Sequence, residues 1–385
     1  MKVALISCWR KRYYGYYAQE LRRALEANTG SEVRVVTSNC GCNAPWYLSK
    51  EDLIDQRCQY FNMPVIVDYR ARATWKYHCR MLAKKGLSYV RGLRFHRKTK
   101  GVDIIHFQQV LNGFGFMSMF YFLKHFSNHS RVVVTLHEID SFQNEFPELN
   151  KIYNKADKVI VHFDDFRKYL ISHGVDEHRI EVINNGVEIP PLFNYERQGI
   201  IFHGGSHLHS GKGLEDLLLG LKILKDRKIN LVVRIYGHYS EEDQEKATKI
   251  AKDIGVDALI NWLKISGVEF AGIDEVNEEY QKSMIAVIPY TKGTAGFQTA
   301  IAMANGLPII ATKKAGVFDH LGEDGIYISE NSPMEIAEAL EKLVDNTTLR
   351  KELGQRGREK AKEFLAWDVI GEKTCKLYKG LLVRN

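Results

Sequence analysis

Residues 281–316 read QKSMIAVIPYTKGTAGFQTAIAMANGLPIIATKKAG and predict the fold more directly than any other part of the chain. Ile285–Pro289 is a short apolar run ended by proline, which is typical of a buried strand. Thr291–Phe297 contains two glycines and two hydroxyl side chains, a composition that predicts a tight turn. Gln298–Asn305 is helical in composition, and Gly306-Leu-Pro308 ends it before the next apolar run. The stretch therefore predicts a strand–turn–helix–strand unit.

The turn between this strand and this helix has the features of a phosphate site. The first N–H groups of a helix have no partner within the helix, and the helix dipole is positive at that end, so both favour an anion. Similar turns also occur in ordinary βαβ units that bind nothing. The two interpretations have to be decided by the rest of the chain.

The length and composition predict a two-domain cytoplasmic protein. A chain of 385 residues is too long for one ordinary core, and no apolar run reaches the length of a membrane span. The N-terminal apolar run is short and its charges lie on the wrong side for a signal peptide. The six cysteines are too scattered for a disulfide framework, and Cys40-Gly-Cys42 lacks the second pair that a zinc site needs.

Positive charge is concentrated in the first hundred residues, which carry 20 Lys and Arg against 7 Asp and Glu. This asymmetry predicts an anionic partner for that part of the chain. Residues 72–100 place apolar side chains at helical spacing among Lys and Arg, a pattern typical of a helix lying on an anionic membrane surface. A solvated helix that packs its apolar side on a sheet fits the pattern equally well. No nucleic-acid motif accompanies the segment, so we expect no nucleic-acid partner.

Short apolar runs separated by helical segments recur along the chain as predicted strands. They are residues 1–8, 33–37, 103–107, 132–136, 158–162, 200–203, 231–236, 268–270, 285–289, 309–312 and 326–328. Runs that are apolar throughout indicate parallel sheets covered on both faces. Asn184–Pro191 has the Gly and Pro punctuation of a linker, so the pattern predicts one doubly wound α/β domain on each side of it.

Two helix starts are marked by their local sequence. Arg10–Tyr17 predicts a basic turn around Gly15, followed by a helix over Ala18–Asn28. Ser332 predicts an N-cap, with a proline in the first turn and Glu335 closing a capping box.

The whole pattern resembles the GT-B glycosyltransferases of family 4, which are retaining and use nucleotide sugars. The resemblance covers nearly all of the chain and depends on the order and spacing of short motifs. They are Tyr14-Gly15-Tyr16, Asp103–His106, Val134–Glu138, Ala156–Val161, Arg179–Val187, Lys212-Gly213, Ile235–Gly237, Val268–Gly272 and Met303–Pro308. The resemblance implies two Rossmann-like domains, 1–190 and 191–365, that face a cleft, with a C-terminal helix, 366–385, crossing back to the first domain.

The resemblance also implies a reaction and its residues. A hexose would move from a UDP- or GDP-hexose to a polysaccharide-precursor or lipid-linked acceptor with retention of configuration. Lys212 would stabilise the leaving diphosphate, and His137 would face the donor sugar. The other donor-binding residues implied are Gly15, Gly205, Ser206, His207, Gly237, Thr294, Ala295, Gly296 and Phe297. Those on the acceptor or membrane side are Tyr14, Trp75, Arg80, Arg91 and Arg94.

We expect no cofactor and no metal. The chain has no DxD motif, and His203, His207 and His209 lie in a Gly-rich loop that would not fix the geometry of metal ligands. A lysine and helix-end amides can stabilise a diphosphate without a metal. The protein is expected in the cytoplasm, with the basic segment allowing peripheral binding to the inner face of the cell membrane.

Three positions depart from the family pattern. His207 stands in place of an arginine, and Gly293 and Ile301 stand in place of a glutamate pair that faces the donor sugar and binds the ribose. Their absence supports an alternative function, a non-catalytic GT-B-shaped binding or scaffold subunit. A GT-B-shaped epimerase is a weaker hypothesis because acidic residues for its chemistry are missing. A Rossmann dehydrogenase is disfavoured because no G-x-G-x-x-G follows the first strand.

Overall fold

The computed structural model describes residues 1–7, 13–38, 59–61, 101–108, 130–137, 150, 153–205, 208–209, 211–237, 239–264, 273–294, 296–314 and 316–383. The basic segment 72–100, with Trp75, Arg80, Arg91 and Arg94, lies outside these residues, as does the predicted strand 268–270.

Two parallel sheets organise the described residues. The first has seven strands in the order β3-β2-β1-β4-β5-β6-β7, and the second has six in the order β10-β9-β8-β11-β12-β13. The strands of the first sheet are β1 (Lys2–Ser7), β2 (Glu32–Ser38), β3 (Gln59–Phe61), β4 (Ile104–Gln108), β5 (Arg131–Leu136), β6 (Lys158–Val161) and β7 (Ile180–Val182). Those of the second are β8 (Ile200–Gly205), β9 (Val233–Gly237), β10 (Ile260–Lys264), β11 (Ile285–Ile288), β12 (Ile309–Thr312) and β13 (Ile326–Ile328).

Helices connect these strands. They are α1 (Tyr13–Thr29), α2 (Asp164–Ser172), α3 (Leu214–Asp226), α4 (Glu241–Asp253), α5 (Ile273–Gln281), α6 (Gly296–Ala304), α7 (Phe318–Leu321), α8 (Pro333–Asp345), α9 (Thr347–Lys360) and α10 (Trp367–Val383). Two short 3-10 turns, Glu177–Arg179 and Asp257–Leu259, precede β7 and β10, and a π-helical turn over Ala361–Leu365 precedes α10. None of the described helices combines the length and hydrophobicity of a transmembrane span.

The core of the second domain shows why these sequences fold this way. On α3, Leu217, Leu221 and Leu224 recur at helical spacing and are fully buried, together with Ile336 and Leu340 of α8. Such a stripe gives each helix one apolar face to lay against its neighbours. The strands between the helix layers are apolar on both faces, as a doubly wound sheet requires. The predicted α/β fold with two doubly wound domains is confirmed.

Several local predictions need correction. The first helix begins at Tyr13, so Gly15 lies in its first turn and the predicted turn over Arg10–Tyr17 is wrong. Strands β3, β7 and β10 were not predicted. The helix after Ser332 begins where predicted, but Glu335 accepts from the N–H of Ser329 at 2.6 Å instead of closing a capping box.

The last helix packs within the first domain. The chain divides into one unit of Met1–Asn184 with Ile370–Asn385 and a second of Asn185–Val369, so the predicted return of the C-terminal helix is confirmed. The buried face of α10 carries Ile370, Gly371, Thr374, Cys375, Tyr378 and Leu381. At Gly371 the helix comes so close to α1 that an added Cβ would lie 2.6 Å from the Cβ of Ala24.

This close approach predicts the effect of a methyl group. Gly371→Ala should destabilise the first domain by about 1–3 kcal/mol, because overpacking forces the two helices apart. Its matched control is Gly380→Ala in the same helix, where nothing lies within 4 Å of an added Cβ. The control should stabilise by about 0.5–1 kcal/mol through helix propensity. Thermal unfolding of both variants tests this, and equal shifts would contradict the packing of α10 on α1.

Candidate functional site

The second sheet has a topological switch point between β8 and β11. These two strands pair in parallel at the centre of the sheet, and the connections that follow them leave in opposite directions. Ligands of doubly wound domains bind in the crevice at the carboxyl ends of such strands. The two segments that follow β8 and β11 therefore form the first candidate site.

The segment after β8 packs on the segment after β11 through its backbone. The carbonyl oxygen of Gly211 accepts from the N–H groups of Thr291 at 2.9 Å and Lys292 at 3.1 Å. Gly213 has φ +73° and precedes α3, and a Cβ at this position would overlap the carbonyl oxygen of Pro289. Only glycine satisfies both conditions at this place. The two turns are thus held together at the edge where a ligand would bind.

Lys212 lies between these two glycines. It is partly buried, and its Nζ is 4.0 Å from the centroid of the Tyr290 ring, a cation–π distance. Tyr290 is itself buried and donates its hydroxyl to the carbonyl oxygen of His203 at 2.7 Å. The ring therefore fixes where the ammonium group can lie, beside the crevice at the switch point.

The start of α6 follows β11 at the same edge of the sheet. Thr294 is partly buried in the turn, and Gly296 and Phe297 form the buried first turn of the helix. These three predicted residues follow Thr291 and Lys292, whose N–H groups bond to Gly211 beside Lys212. Gly205 and Gly237 are the last residues of β8 and β9, at the same edge of the sheet. Ser206, His207 and Ala295 lie outside the described residues.

Two histidines of this region have protein partners. Nδ1 of His209 lies 2.5 Å from Oε1 of Glu215, and its Nε2 lies 3.0 Å from the carbonyl oxygen of Asp243. His203 is buried, with Nδ1 3.5 Å from the hydroxyl of Tyr280. In the part of the chain that the structure describes, no three His, Cys, Asp or Glu side chains are grouped as metal ligands.

Gly293 and Ile301, which depart from the family pattern, have opposite environments. Gly293 is exposed with φ +76°, and no atom lies within 4 Å of a Cβ built there. Ile301 is fully buried in the middle of α6. A carboxylate would meet solvent at the first position and hydrocarbon at the second.

A second candidate site lies at the carboxyl ends of β4, β5 and β6 in the first domain. His137 follows β5 directly and is 4% exposed. Its Nε2 lies 3.0 Å from Oε1 of Gln108, and its Nδ1 lies 2.8 Å from Nε2 of His162. Tyr17 of α1 packs edge-on against His137, with ring centroids 4.6 Å apart.

The hydrogen bonds continue to a third histidine and to the last helix. Nε2 of His106 lies 2.6 Å from the hydroxyl of Thr135, and its Nδ1 lies 2.5 Å from the hydroxyl of Tyr378 on α10. Burial lowers the pKa of His106 to about 3, and the neighbouring His162 adds to the effect. Burial also holds the pKa of His137 well below its usual value, again with His162 adding. Both rings are therefore neutral at physiological pH.

Sequence reasoning selected His137 but missed its partners Gln108 and His162. A signal was present, because a polar side chain stands at or just beyond the end of each of three apolar strands, namely Gln108, His137 and His162. The carboxyl ends of parallel strands meet at one edge, so these residues had to approach each other. Gly15 and Tyr14 lie in the first turn of α1, which follows β1.

Comparison with known proteins identifies the family. The model Glycosyltransferase Family 4 matches residues 15–189, and the model Glycosyl transferases group 1 matches residues 197–346. An uncharacterized glycosyltransferase of Methanocaldococcus jannaschii is 25% identical over 60% of this chain and 60% of its own length. The capsular polysaccharide biosynthesis glycosyltransferase CapM of Staphylococcus aureus is 22% identical over 55% of this chain and 54% of its own. The chain thus spans about half to three-fifths of these curated relatives.

A solved structure gives the same result for the fold. The Anabaena protein HepE in complex with UDP superposes with a TM-score of 0.72 at 14% identity, covering 99% of this chain and 100% of the other. The two family models together match most of the chain, one in each half. The chain therefore belongs to the GT-B glycosyltransferases of family 4.

Proposed function

We propose that this protein is a glycosyltransferase that moves a hexose from a nucleotide sugar to a polysaccharide-precursor or lipid-linked acceptor, with retention of configuration. The observation that carries the proposal is the pairing of two turns at the switch point of the second sheet, which holds Lys212 beside the segment that leads from β11 to α6. The membership of the chain in family 4 supports the same reaction.

The chemistry of the leaving group explains why this arrangement suits the reaction. A nucleoside diphosphate gains negative charge as the bond to the sugar breaks. An ammonium group and helix-end N–H groups that are already in place stabilise this charge without having to reorganise. UDP bound to HepE, a protein of the same fold, supports a nucleoside diphosphate as the ligand.

The donor sugar and the ribose have to be recognised by other groups, because Gly293 and Ile301 stand at the two positions where the family pattern has glutamate. Thr294 and the first N–H groups of α6 are the donors nearest to the turn. Helix-end N–H groups hold phosphate well but discriminate poorly among sugars. We infer that the diphosphate supplies most of the donor affinity. The acceptor is proposed as a polysaccharide precursor because CapM, a relative, acts in capsular polysaccharide biosynthesis.

The first prediction from the proposed function concerns Lys212. Lys212→Ala should lower turnover by about a hundredfold, the usual scale for losing one preorganised charged contact in the transition state. Nucleotide release from a panel of UDP- and GDP-hexoses, with a lipid-linked or glycan acceptor, is the measurement. Lys222→Ala is the control. This lysine lies in the C-terminal half of α3, away from the Lys212 turn, and pairs with Asp226 one helical turn further on. Equal turnover of the Lys212 variant and the wild type would overturn the assignment. No turnover by the wild type would favour the non-catalytic alternative.

The second prediction concerns donor recognition. The bare nucleoside diphosphate should bind within about 1.4 kcal/mol of the nucleotide sugar, a factor of ten in Kd. Calorimetry on UDP, GDP and their hexose derivatives measures this difference. A sugar nucleotide that binds a hundredfold more tightly than its diphosphate would show that the sugar is read by other residues.

The third prediction compares Gly293 and Ile301, the two positions at which the family pattern has glutamate. Ile301→Glu should destabilise the second domain by at least about 3 kcal/mol, because it buries a carboxyl group in hydrocarbon. Ile301→Val, the matched control, should cost only about 1 kcal/mol. Gly293→Glu should cost about 1–2 kcal/mol, the strain of a non-glycine residue in the left-handed region. Denaturant unfolding tests the order of the three, and a harmless Ile301→Glu would contradict the core position of this side chain.

The fourth prediction concerns the basic segment, whose membrane role is a proposal from sequence. Each Lys or Arg near an anionic surface contributes about 1 kcal/mol, and salt screens this contribution. The protein should therefore co-sediment with vesicles that contain an anionic lipid and should be released as salt is raised. Equal binding to neutral vesicles, or no binding to either kind, would favour the solvated-helix interpretation.

A further inference from the structure

The three buried histidines of the first domain do more than fill space, because their partners determine where the ring protons sit. Of these histidines, the family resemblance implies a role only for His137, which would face the donor sugar. Its neighbours His162 and Gln108 are completely buried and point their polar atoms at it. His162, His137 and Gln108 form an array of hydrogen bonds. The donor and the acceptor of each bond follow in turn from the bond that anchors His162 to the backbone.

The fixed end of the array is a backbone carbonyl. Nδ1 of His162 lies 2.8 Å from the carbonyl oxygen of Ile183. A carbonyl oxygen can only accept, so His162 carries its proton on Nδ1. In a neutral imidazole the other nitrogen, Nε2, is then an acceptor.

This acceptor determines the tautomer of His137. Nε2 of His162 lies 2.8 Å from Nδ1 of His137, so His137 donates from Nδ1. A second proton on His162 would reverse the argument, but this ring is completely buried, and neither the Ile183 carbonyl nor the His137 ring offers it a negative charge, so the imidazolium is disfavoured. The Nε2 atom of His137 is therefore left as an acceptor.

The next member, Gln108, then has to donate to His137. The side-chain amide of Gln108 lies 3.0 Å from Nε2 of His137 through the atom assigned as Oε1. A half-turn of the amide exchanges its oxygen and nitrogen, and hydrogen-bond partners decide between the two orientations. The structure has the nitrogen of this amide 3.2 Å from Nε2 of His106. With an acceptor opposite on His137, we infer the turned orientation, in which the NH₂ group faces His137 and the oxygen faces the ring of His106.

We propose that His162 is a positioning residue that, anchored to the Ile183 carbonyl, holds His137 as the neutral tautomer protonated on Nδ1. Nε2 of His137 is then an acceptor for a sugar hydroxyl, and the amide of Gln108 occupies it when no sugar is bound. This role rests on the proposed function, since the hydroxyl belongs to a sugar of the transfer reaction. The tautomer itself does not depend on that function.

The wild-type protein without ligand gives the decisive measurement. Ring-¹⁵N histidine labelling and two-bond ¹H–¹⁵N correlation distinguish the two neutral tautomers and the imidazolium. The resonances of His137 are those lost in His137→Gln. We expect a protonated Nδ1 and a bare Nε2 at neutral pH. A protonated Nε2 on His137, or a doubly protonated ring, would overturn the proposal.

Two variants of His162 test the positioning role. His162→Met removes the acceptor, so His137 should shift toward the tautomer protonated on Nε2. We then expect kcat to fall by about ten- to a hundredfold, the scale for a misplaced group, with donor KM changed less than about threefold. His162→Gln keeps an acceptor oxygen in reach of Nδ1 and should restore both the tautomer and most of the kcat. His178→Met, at an exposed histidine, is the control for loss of a histidine and should change neither quantity.

The outcomes separate this inference from the proposed function. The expected tautomer in a protein that transfers no sugar would leave the proton assignment standing and remove the reaction. Sugar transfer by a protein whose His137 is protonated on Nε2 would support the reaction and overturn the proton assignment. A His162→Gln variant as slow as His162→Met, with both folded, would overturn the positioning role.

Discussion

Both candidate sites depend on one constraint, that the carboxyl ends of parallel strands lie at the same edge of a sheet. In the first domain this edge collects Gln108, His137 and His162 from three consecutive strands. In the second it brings the turns after β8 and β11 together around Lys212. Side chains that are far apart in the sequence become neighbours because they follow adjacent strands that end at the same edge.

The two edges differ in electrostatics: the second domain presents positive groups near the surface, and the first domain buries polar rings. In the second domain the turns keep a lysine and helix-end N–H groups near the surface, where they can stabilise an anion that arrives and leaves. In the first domain the histidines are removed from water, so hydrogen bonds have to satisfy their ring nitrogens, and burial lowers the pKa values of His106 and His137. A neutral array of this kind has a direction, and the carbonyl of Ile183 sets it.

The C-terminal helix α10 adds a residue to the polar array of the first domain. Tyr378 of α10 is completely buried, and its hydroxyl reaches Nδ1 of His106. The close approach of Gly371 to Ala24 lets α10 settle against α1, so that a residue near the end of the chain completes an array that begins on β4. The last helix therefore contributes to the packing of the first domain and to the polar interior below the candidate site.

The sequence alone determined the fold class, because apolar runs alternating with helical segments allow a doubly wound sheet and little else. It also placed Thr294 in the turn after a strand, since the apolar run before it stops at Pro289, whereas Lys212 and His137 were selected by the resemblance to the family. It missed β3, β7 and β10, whose residues are only partly apolar, and it placed Gly15 in a turn that is helical. Only the tertiary structure decided which residues surround His137, because contacts between strands depend on sheet order and register. Whether Ile301 faces solvent or the core was likewise decided by packing, which a short helical segment does not reveal.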